Sequence, residues 1–199
     1  MTVGRWAAVA ALLAGACLAG VPSTAQDRKG DKDPQSAFEP RSAPGDGQKF
    51  LAKFAGDWDV VKTFHPKAGK PSVQKGTCRQ EMIHGGRFLQ SSFTFGRGEA
   101  RTTGLGLVGF EAGTGAFTSV WADSRATRMS FRRSKGRFDG KEIVLYGAAL
   151  GGAEEKRTSR TVTKLEGSGK KIVHRQYASG PGGKERLVME LVMTRKAAK

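Results

Sequence analysis

Cysteine is scarce in this sequence, and the scarcity limits how the protein can be stabilised. The 199 residues include two cysteines, Cys17 and Cys78. Cys17 lies inside an N-terminal segment with the features of an export signal, so only Cys78 is expected in the mature chain. An intrachain disulfide is therefore excluded, and stability has to come from packing and backbone pairing.

Charge is nearly absent from residues 1–25, in which Arg5 is followed by an apolar, alanine-rich stretch and by small residues just before Gln26. This pattern predicts a signal peptide over 1–25 and export to the periplasm or the medium. The apolar stretch is too short to predict a membrane span, and none is expected in the mature chain. Lipoprotein anchoring through Cys17 is the alternative.

Motifs that identify a reaction are also missing. The sequence contains no P-loop, nucleophile elbow, Ser-His-Asp pattern or acidic dyad. Gly104-x-Gly106-x-x-Gly109 matches the letters of the dinucleotide-binding fingerprint, but a hairpin turn follows Gly109 where that fingerprint needs a helix. The sequence therefore favours a protein that is not an enzyme, with no catalytic residue assigned. An enzyme that uses Asp123 or His84 in a cavity is the alternative.

Acidic residues are few, and the net charge is +16. Residues 125–199 carry 19 Lys and Arg against 7 Asp and Glu, which predicts attraction for anionic envelope polymers or lipids. Nucleic acid is disfavoured because no aromatic residues are interleaved with the basic ones. The candidate anion-binding face consists of Arg128, Arg132, Arg157 and Arg160. If the face with Arg128 and Arg132 points inward, the prediction changes to a cavity that selects a small anionic ligand.

Helical periodicity is confined to one short stretch. Residues 26–46 are rich in Asp, Lys, Pro, Ser and Gly, which predicts a flexible linker. In the domain predicted over 47–196, Phe50, Leu51 and Phe54 fall on one face of a short helix. This helix is expected to cap the open end or side of the strand-rich remainder of the domain.

From Asp57 onward the sequence shows short runs broken by glycine-rich turns. This spacing predicts an all-β, up-and-down antiparallel β-barrel of about ten strands. A barrel of this size is either filled by side chains or holds one small ligand. The predicted strands are Asp57–His65, Val73–His84, Arg87–Phe95, Arg101–Phe110, Phe117–Asp123, Thr127–Arg133, Lys141–Leu150, Lys156–Leu165, Lys171–Ala178 and Glu185–Arg195.

Two pairs of residues are candidates for binding a small apolar or amphipathic ligand. Trp121 and Asp123 share a strand face near a rim, where the carboxylate either orients a ligand or caps the turn toward Arg125. Cys78 and His84 share a face by period-two counting, which would place a thiol and an imidazole in one cavity. The alternative for Cys78 is a small buried side chain.

No metal site or cofactor is predicted, since none of the histidines is spaced from another as metal ligands usually are. Haem ligation by His84 or His174 is the alternative.

Several spaced motifs between residues 47 and 196 resemble the bacterial family called domain of unknown function 1579. They are Phe54-Ala55-Gly56-Asp57-Trp58, Gly85-Gly86-Arg87-Phe88-Leu89, Gly109-Phe110-Glu111, Trp121-Ala122-Asp123-Ser124, Gly180-Pro181-Gly182-Gly183-Lys184-Glu185, Met189-Glu190 and Thr194-Arg195. The resemblance implies a lipocalin-like barrel of the calycin type and no established activity. In calycins a tryptophan of the first strand packs against an arginine of the last, which implies that Trp58 and Arg195 close one end of the barrel.

Overall fold

The computed structural model describes residues 34–38, 42–148, 158–179 and 182–197. The chain divides into two compact units, Met1–Arg41 and Ser42–Lys199. The described part of the first unit contains a 3₁₀ turn, Pro34–Ala37. The predicted signal peptide, Cys17 and most of the predicted linker lie outside the described residues.

Ten antiparallel strands form a closed barrel in the second unit, in the order β1-β10-β9-β8-β7-β6-β5-β4-β3-β2. Each strand pairs with its neighbours along the chain, and the pairing of β1 with β10 closes the barrel. The strands are β1 (Gly56–Phe64), β2 (Ser72–Ile83), β3 (Phe88–Phe95), β4 (Thr102–Glu111), β5 (Ala116–Asp123), β6 (Ser130–Arg133), β7 (Glu142–Ala148), β8 (Thr158–Glu166), β9 (Lys171–Ser179) and β10 (Glu185–Arg195). The predicted all-β, up-and-down barrel of about ten strands with a short helix is confirmed.

Alternation of side chains explains why these segments are strands. On β1, Trp58, Val60 and Lys62 are buried, while the residues between them are exposed. One face of each strand therefore points into the barrel and the other into solvent. β6 is shorter than predicted and begins at Ser130, because the chain first makes a turn in which the Arg125 amide donates to Asp123 Oδ1.

The short helix α1 (Asp46–Ala52) covers the end of the barrel at which β1 begins and β4 ends. Gln48 connects the two elements, since its Nε2 donates to the carbonyl oxygen of Phe110 at 2.8 Å. Phe50 and Leu51 are buried, as is Phe54 just beyond the helix. This end of the barrel is called the floor below.

Aromatic rings fill the space between α1 and the barrel. Phe138 lies 4.8 Å from Phe50 and 4.9 Å from Phe117, measured between ring centroids. Phe110 lies 4.8 Å from Phe117. The floor is therefore solid protein, and any open volume has to lie on its far side. Within the described part of the chain, no helix has the length and hydropathy needed to cross a membrane.

Candidate functional site

The barrel contains a cavity of about 400 Å³. Phe54, beside α1, contributes to its lining at the floor, and Phe64 and Arg125 contribute at the opposite end. The Arg125 side chain is 53% exposed, so the cavity meets solvent at that end, which is called the mouth below. Ligand pockets in proteins usually have volumes of about 300–1,000 Å³, so this cavity suits a small molecule.

The cavity wall is mainly apolar, with a few polar and basic groups. Its apolar side chains are Phe54, Phe64, Leu89, Phe93, Phe95, Val108, Val120, Trp121, Ile143, Leu145, Val188, Met189, Leu191 and Met193. Its uncharged polar side chains are Gln80, Ser91, Ser119, Thr161, Thr163 and Gln176, and Lys62, Arg125, Arg132 and His174 complete the wall with Gly106. None of these described lining residues is Asp or Glu.

Trp121 lines the cavity near the mouth. Its indole Nε1 donates to Asp123 Oδ2 at 3.0 Å, and its ring meets Phe93 edge-on with 5.5 Å between centroids. The indole lies over two glycines of β4, because a Cβ at Gly104 would come within 2.4 Å of it and one at Gly106 within 3.4 Å. Two of the three glycines that match the letters of the dinucleotide fingerprint thus make room for an indole, whereas the third, Gly109, lies against the Phe88 ring.

Asp123 does not line the cavity, and its carboxylate is fully engaged. It accepts hydrogen bonds from the Arg125 backbone amide, the Arg125 guanidinium and the Trp121 indole. Burial alone would raise the pKa of Asp123, but these hydrogen bonds and the charge of Arg125 hold that pKa at about 2. Of the two predicted roles, the geometry matches the turn cap, and it adds a positioning role for Trp121.

Lys62 projects into the barrel from β1 and is 5% exposed. Its Nζ lies 3.6 Å from the centroid of the Phe95 ring and 5.2 Å from that of Phe64. No described carboxylate lies within ion-pair distance of it. Burial and, less strongly, the charge of Arg125 lower the pKa of Lys62 to about 8, although Asp123 opposes the shift.

Arg132 points from β6 into the cavity. Its Nη1 donates to Ser130 Oγ at 3.2 Å and its Nε to Ser159 Oγ at 3.4 Å. Burial lowers its pKa, and no described carboxylate pairs with it. Arg132 was predicted either on an outer basic face or inside the barrel, and the structure places it inside.

His174 lines the cavity from β9, near Arg132. Its Nδ1 lies 2.8 Å from Thr163 Oγ1, across the pairing of β9 with β8. Burial, and then the charge of Arg132, lowers the pKa of His174 to about 4, so the ring is neutral at pH 7. Among the described residues, no three of His, Cys, Asp and Glu come together as a metal-binding cluster.

Cys78 and His84 do not meet in the cavity. Cys78 is 2% exposed in the core beside Trp58, and burial followed by the charge of Asp57 raises its pKa to about 12, which is the opposite of a reactive thiol. His84 lies one residue beyond β2, with a φ of 51° that turns the chain, and its side chain is exposed. The period-two count fails at His84 because the strand has already ended.

Trp58 and Arg195 lie together at the floor. The guanidinium carbon of Arg195 is 4.2 Å from the centroid of the Trp58 ring, and the two residues are Cα partners of β1 and β10. Arg195 also donates to the carbonyl oxygens of Lys53, Ala55 and Gly169 at 2.6–2.9 Å. Neither residue lines the cavity.

The four arginines of the candidate anion-binding face do not form one surface. Arg128 is exposed in the loop before β6, whereas Arg132 is inside the barrel. Arg160 forms a bidentate ion pair with Glu185 and lies 4.4 Å from the centroid of the Tyr177 ring. Arg157 lies outside the described residues.

Sequence reasoning missed Lys62 and Gln80 as lining residues. Lys62 was detectable, because period-two counting from Trp58 through Val60 puts it on the inward face of β1. Gln80 donates to Ser91 Oγ at 2.8 Å, while its Oε1 is buried without a partner among the described residues.

The fold is shared with solved structures of low sequence identity. The crystal structure of Rv2717c from M. tuberculosis is similar with a TM-score of 0.58 and 12% identity, over 78% of this chain and 100% of that one. The S-type phycobiliprotein lyase CPES from Guillardia theta is similar with a TM-score of 0.52 and 10% identity, over 77% of this chain and 94% of that one. These likenesses concern the barrel alone.

Comparison of the sequence itself gives a family and no activity. No curated protein matches the sequence. The model of the family described as "Protein of unknown function (DUF1579)" matches residues 43–195, which include α1 and all ten strands of the barrel. The chain therefore belongs to the DUF1579 family.

Proposed function

We propose that this protein binds a small, largely apolar molecule inside its barrel. The observation that carries the proposal is the cavity of about 400 Å³ behind a solid aromatic floor. A barrel that needed only to be stable would fill this volume with side chains, since cavities lower stability by an amount that grows with their size. The apolar wall, with a few polar groups, is typical of a ligand site.

The shape of the cavity sets how a ligand would lie. Trp121 and Phe93 form one aromatic wall, and the hydrogen bond to Asp123 fixes the indole. Phe54 limits the depth at the floor. The ligand would therefore enter at the mouth, pass Arg125, and lie with its apolar body along the rings. Because residues 1–25 predict a signal peptide, we place this binding activity outside the cytoplasm.

A matched pair of substitutions tests the cavity. The neutral fluorophore prodan is titrated into residues 26–199 of the wild type, Leu145→Phe and Leu105→Phe. Leu145 is 5% exposed and lines the cavity, whereas Leu105 is 49% exposed on the outer face. We expect prodan to bind the wild type and Leu105→Phe equally and Leu145→Phe at least about tenfold more weakly, because the added ring occupies ligand volume.

Absence of prodan binding to the wild type would contradict the proposal. Equal binding to Leu145→Phe would place the probe on the surface, provided that thermal unfolding shows both variants to be folded.

Attachment to an anionic envelope polymer or lipid is the second candidate, and the net charge of +16 favours it. Ion pairs neutralise part of the basic surface, since Arg133 pairs with Glu111 and Arg175 with Glu190. Salt separates the two functions. Surface binding should weaken steeply as NaCl is raised from about 50 mM to about 500 mM, while prodan affinity stays constant.

A further inference from the structure

The charge inside the cavity is unbalanced. Lys62, Arg125 and Arg132 line the wall, and no Asp or Glu is among the described lining residues. A charge that is removed from water without a partner is costly, and proteins usually pair such groups or use them for ligands. The three cations differ in how far contacts with the protein and with solvent compensate their charge.

Arg125 already has a partner. Its Nη2 lies 3.1 Å from Asp123 Oδ2, and its side chain is half-exposed to water at the mouth. Solvent and the carboxylate together satisfy this guanidinium.

Lys62 is satisfied in a different way. Its ammonium lies against the faces of two phenylalanine rings, the nearer of which is Phe95 at 3.6 Å. Such cation–π contacts stabilise a buried ammonium without a counter-ion. A lysine can also release its proton when burial disfavours the charge, and Lys62 does so more readily than a free lysine.

Arg132 has neither form of compensation. An arginine cannot shed its charge at physiological pH, and its partners are two neutral serine hydroxyls, one of them at 3.4 Å. No hydrogen bond from its Nη2 to a described residue accompanies these two. The fork of a guanidinium matches a carboxylate with two parallel hydrogen bonds. Of the three cations that line the cavity, Arg132 is thus the one that has neither a described carboxylate nor an aromatic ring against its charge.

The surroundings of Arg132 limit the charge of that anion. His174 is nearby and neutral at pH 7, and Thr163 occupies its Nδ1. One fixed positive charge balances a monoanion such as a carboxylate, whereas a phosphate monoester would bring a second negative charge without a second cation beside it. The rest of the cavity wall is mainly apolar and aromatic, so the remainder of the molecule should be mainly apolar.

We propose that the ligand of this cavity is an amphipathic monocarboxylate whose carboxylate binds the guanidinium of Arg132, with its apolar body directed past Trp121 toward the mouth. This inference rests on the proposed function. It specifies the chemical class of the ligand and its orientation, with the charged group inside and the apolar part outward.

The test compares two probes of equal chain length, decanoate and decanol, by displacement of prodan. We expect the wild type to bind decanoate at least about tenfold more tightly, since a hydrogen bond to a charged group contributes about 1.5–3 kcal/mol. Arg132→Gln should reduce decanoate affinity by about 10–100-fold and leave decanol and prodan unchanged. Arg133→Gln is the matched control, because Arg133 is the next residue, is exposed and pairs with Glu111 on the surface. It should behave as the wild type does.

Thermal unfolding without ligand gives an independent readout. Arg132→Gln should melt at or above the wild-type temperature, because the substitution removes an unbalanced charge. A large fall in melting temperature would mean that Arg132 is structural, and it would overturn the proposal. Should that variant be unsuitable for titration, Arg132→Lys keeps the charge but loses the fork, and an intermediate loss of decanoate affinity is expected.

The outcomes also separate this inference from the proposed function. If prodan fails to bind the wild type, the proposed function itself fails. If prodan binds but decanol and decanoate bind equally, only the carboxylate class is wrong. If Lys62→Met removes the preference for decanoate while Arg132→Gln keeps it, the anionic group lies at the mouth and the orientation is wrong.

Discussion

Single buried side chains make the stability of the protein depend on pH. Lys62 is the clearest case, because its ammonium sits on aromatic rings inside the barrel and its pKa falls from 10.5 to about 8. In the unfolded chain the same lysine keeps its proton to higher pH. Between these two values the unfolded state therefore binds more protons than the folded state, and the free energy of unfolding rises with pH.

Lys62→Met should remove that rise. We expect the free energy of unfolding of the wild type to increase, relative to that of the variant, as the pH goes from about 8 to about 10.5. Urea denaturation at a series of pH values measures the difference. Lys75→Met, at an exposed position on the adjacent strand, is the control and should leave the slope intact. Parallel curves for the wild type and Lys62→Met would show that Lys62 titrates normally.

The environment and pKa of a side chain were harder to predict from the sequence than the strand face on which it lies. Alternation placed Trp121, Cys78 and Arg132 on defined strand faces, but it gave no pKa for the thiol of Cys78, which burial raises to about 12. Lys62 was overlooked because lysines are usually exposed, although its position on an inward face was readable. Contacts between residues far apart in sequence determine whether such a side chain is buried and how its pKa shifts.

At the level of elements, the packing of β5 against β4 depends on two glycines of β4, Gly104 and Gly106, which leave room for the Trp121 ring. Trp121 lies across Gly104 and Gly106, and the hydrogen bond to Asp123 prevents the indole from moving aside. A side chain on β4 at this point would compete with the ring for the same space. The indole, the two glycines and the carboxylate therefore form one unit of the cavity wall.

Gly104→Ala should displace the Trp121 indole. Its Cβ would come within 2.4 Å of the ring, so we expect a loss of about 1–3 kcal/mol in the free energy of unfolding, weaker prodan binding and a changed tryptophan emission. Fluorescence-monitored urea denaturation reports the stability and the emission together. Gly113→Ala is the matched control, because nothing lies within 4 Å of a Cβ at that turn position. An unchanged emission for Gly104→Ala would refute the assigned packing.

The elements themselves were largely predictable from the sequence. Glycine-rich turns separate the runs of strand residues, and predicted strand ends agree with the structure within one or two residues for most strands. β6 is the exception, because residues 127–129, which alternation assigned to the strand, lie in the bent segment that follows the Asp123 turn. The cavity could not be predicted, since whether facing side chains fill a barrel depends on packing across its full width.

For the whole molecule, one cluster at the floor connects the first and last strands to α1. Arg195 stacks on Trp58 and donates to the carbonyl oxygens of Lys53 and Ala55, which lie just after the helix. Lys53 is the C-cap residue of α1, a short helix that has little stability of its own. The arginine thereby holds α1 against the barrel.

Arg195→Ala should lower the free energy of unfolding by about 2–4 kcal/mol, because it removes several charge-assisted hydrogen bonds and a cation–π contact. Ligand affinity should not change, since Arg195 does not line the cavity. Calorimetry gives the stability, and hydrogen exchange of the α1 amides shows where it is lost. Lys196→Ala removes a surface ion pair with Asp59 and should cost less than about 1 kcal/mol. Equal effects of the two substitutions would argue against the cluster.

The pairing of β1 with β10 also has a kinetic consequence. Every other strand pair joins neighbours along the chain, but the hydrogen bond from Arg195 to Ala55 spans 140 residues. Closing so long a loop is entropically expensive, and non-local pairings of this kind slow folding. β10 is also the last strand of the barrel along the chain, so β1 remains an unpaired edge that can attract the strands of other chains until β10 joins it. The barrel is thus most prone to aggregation until its tenth strand has paired.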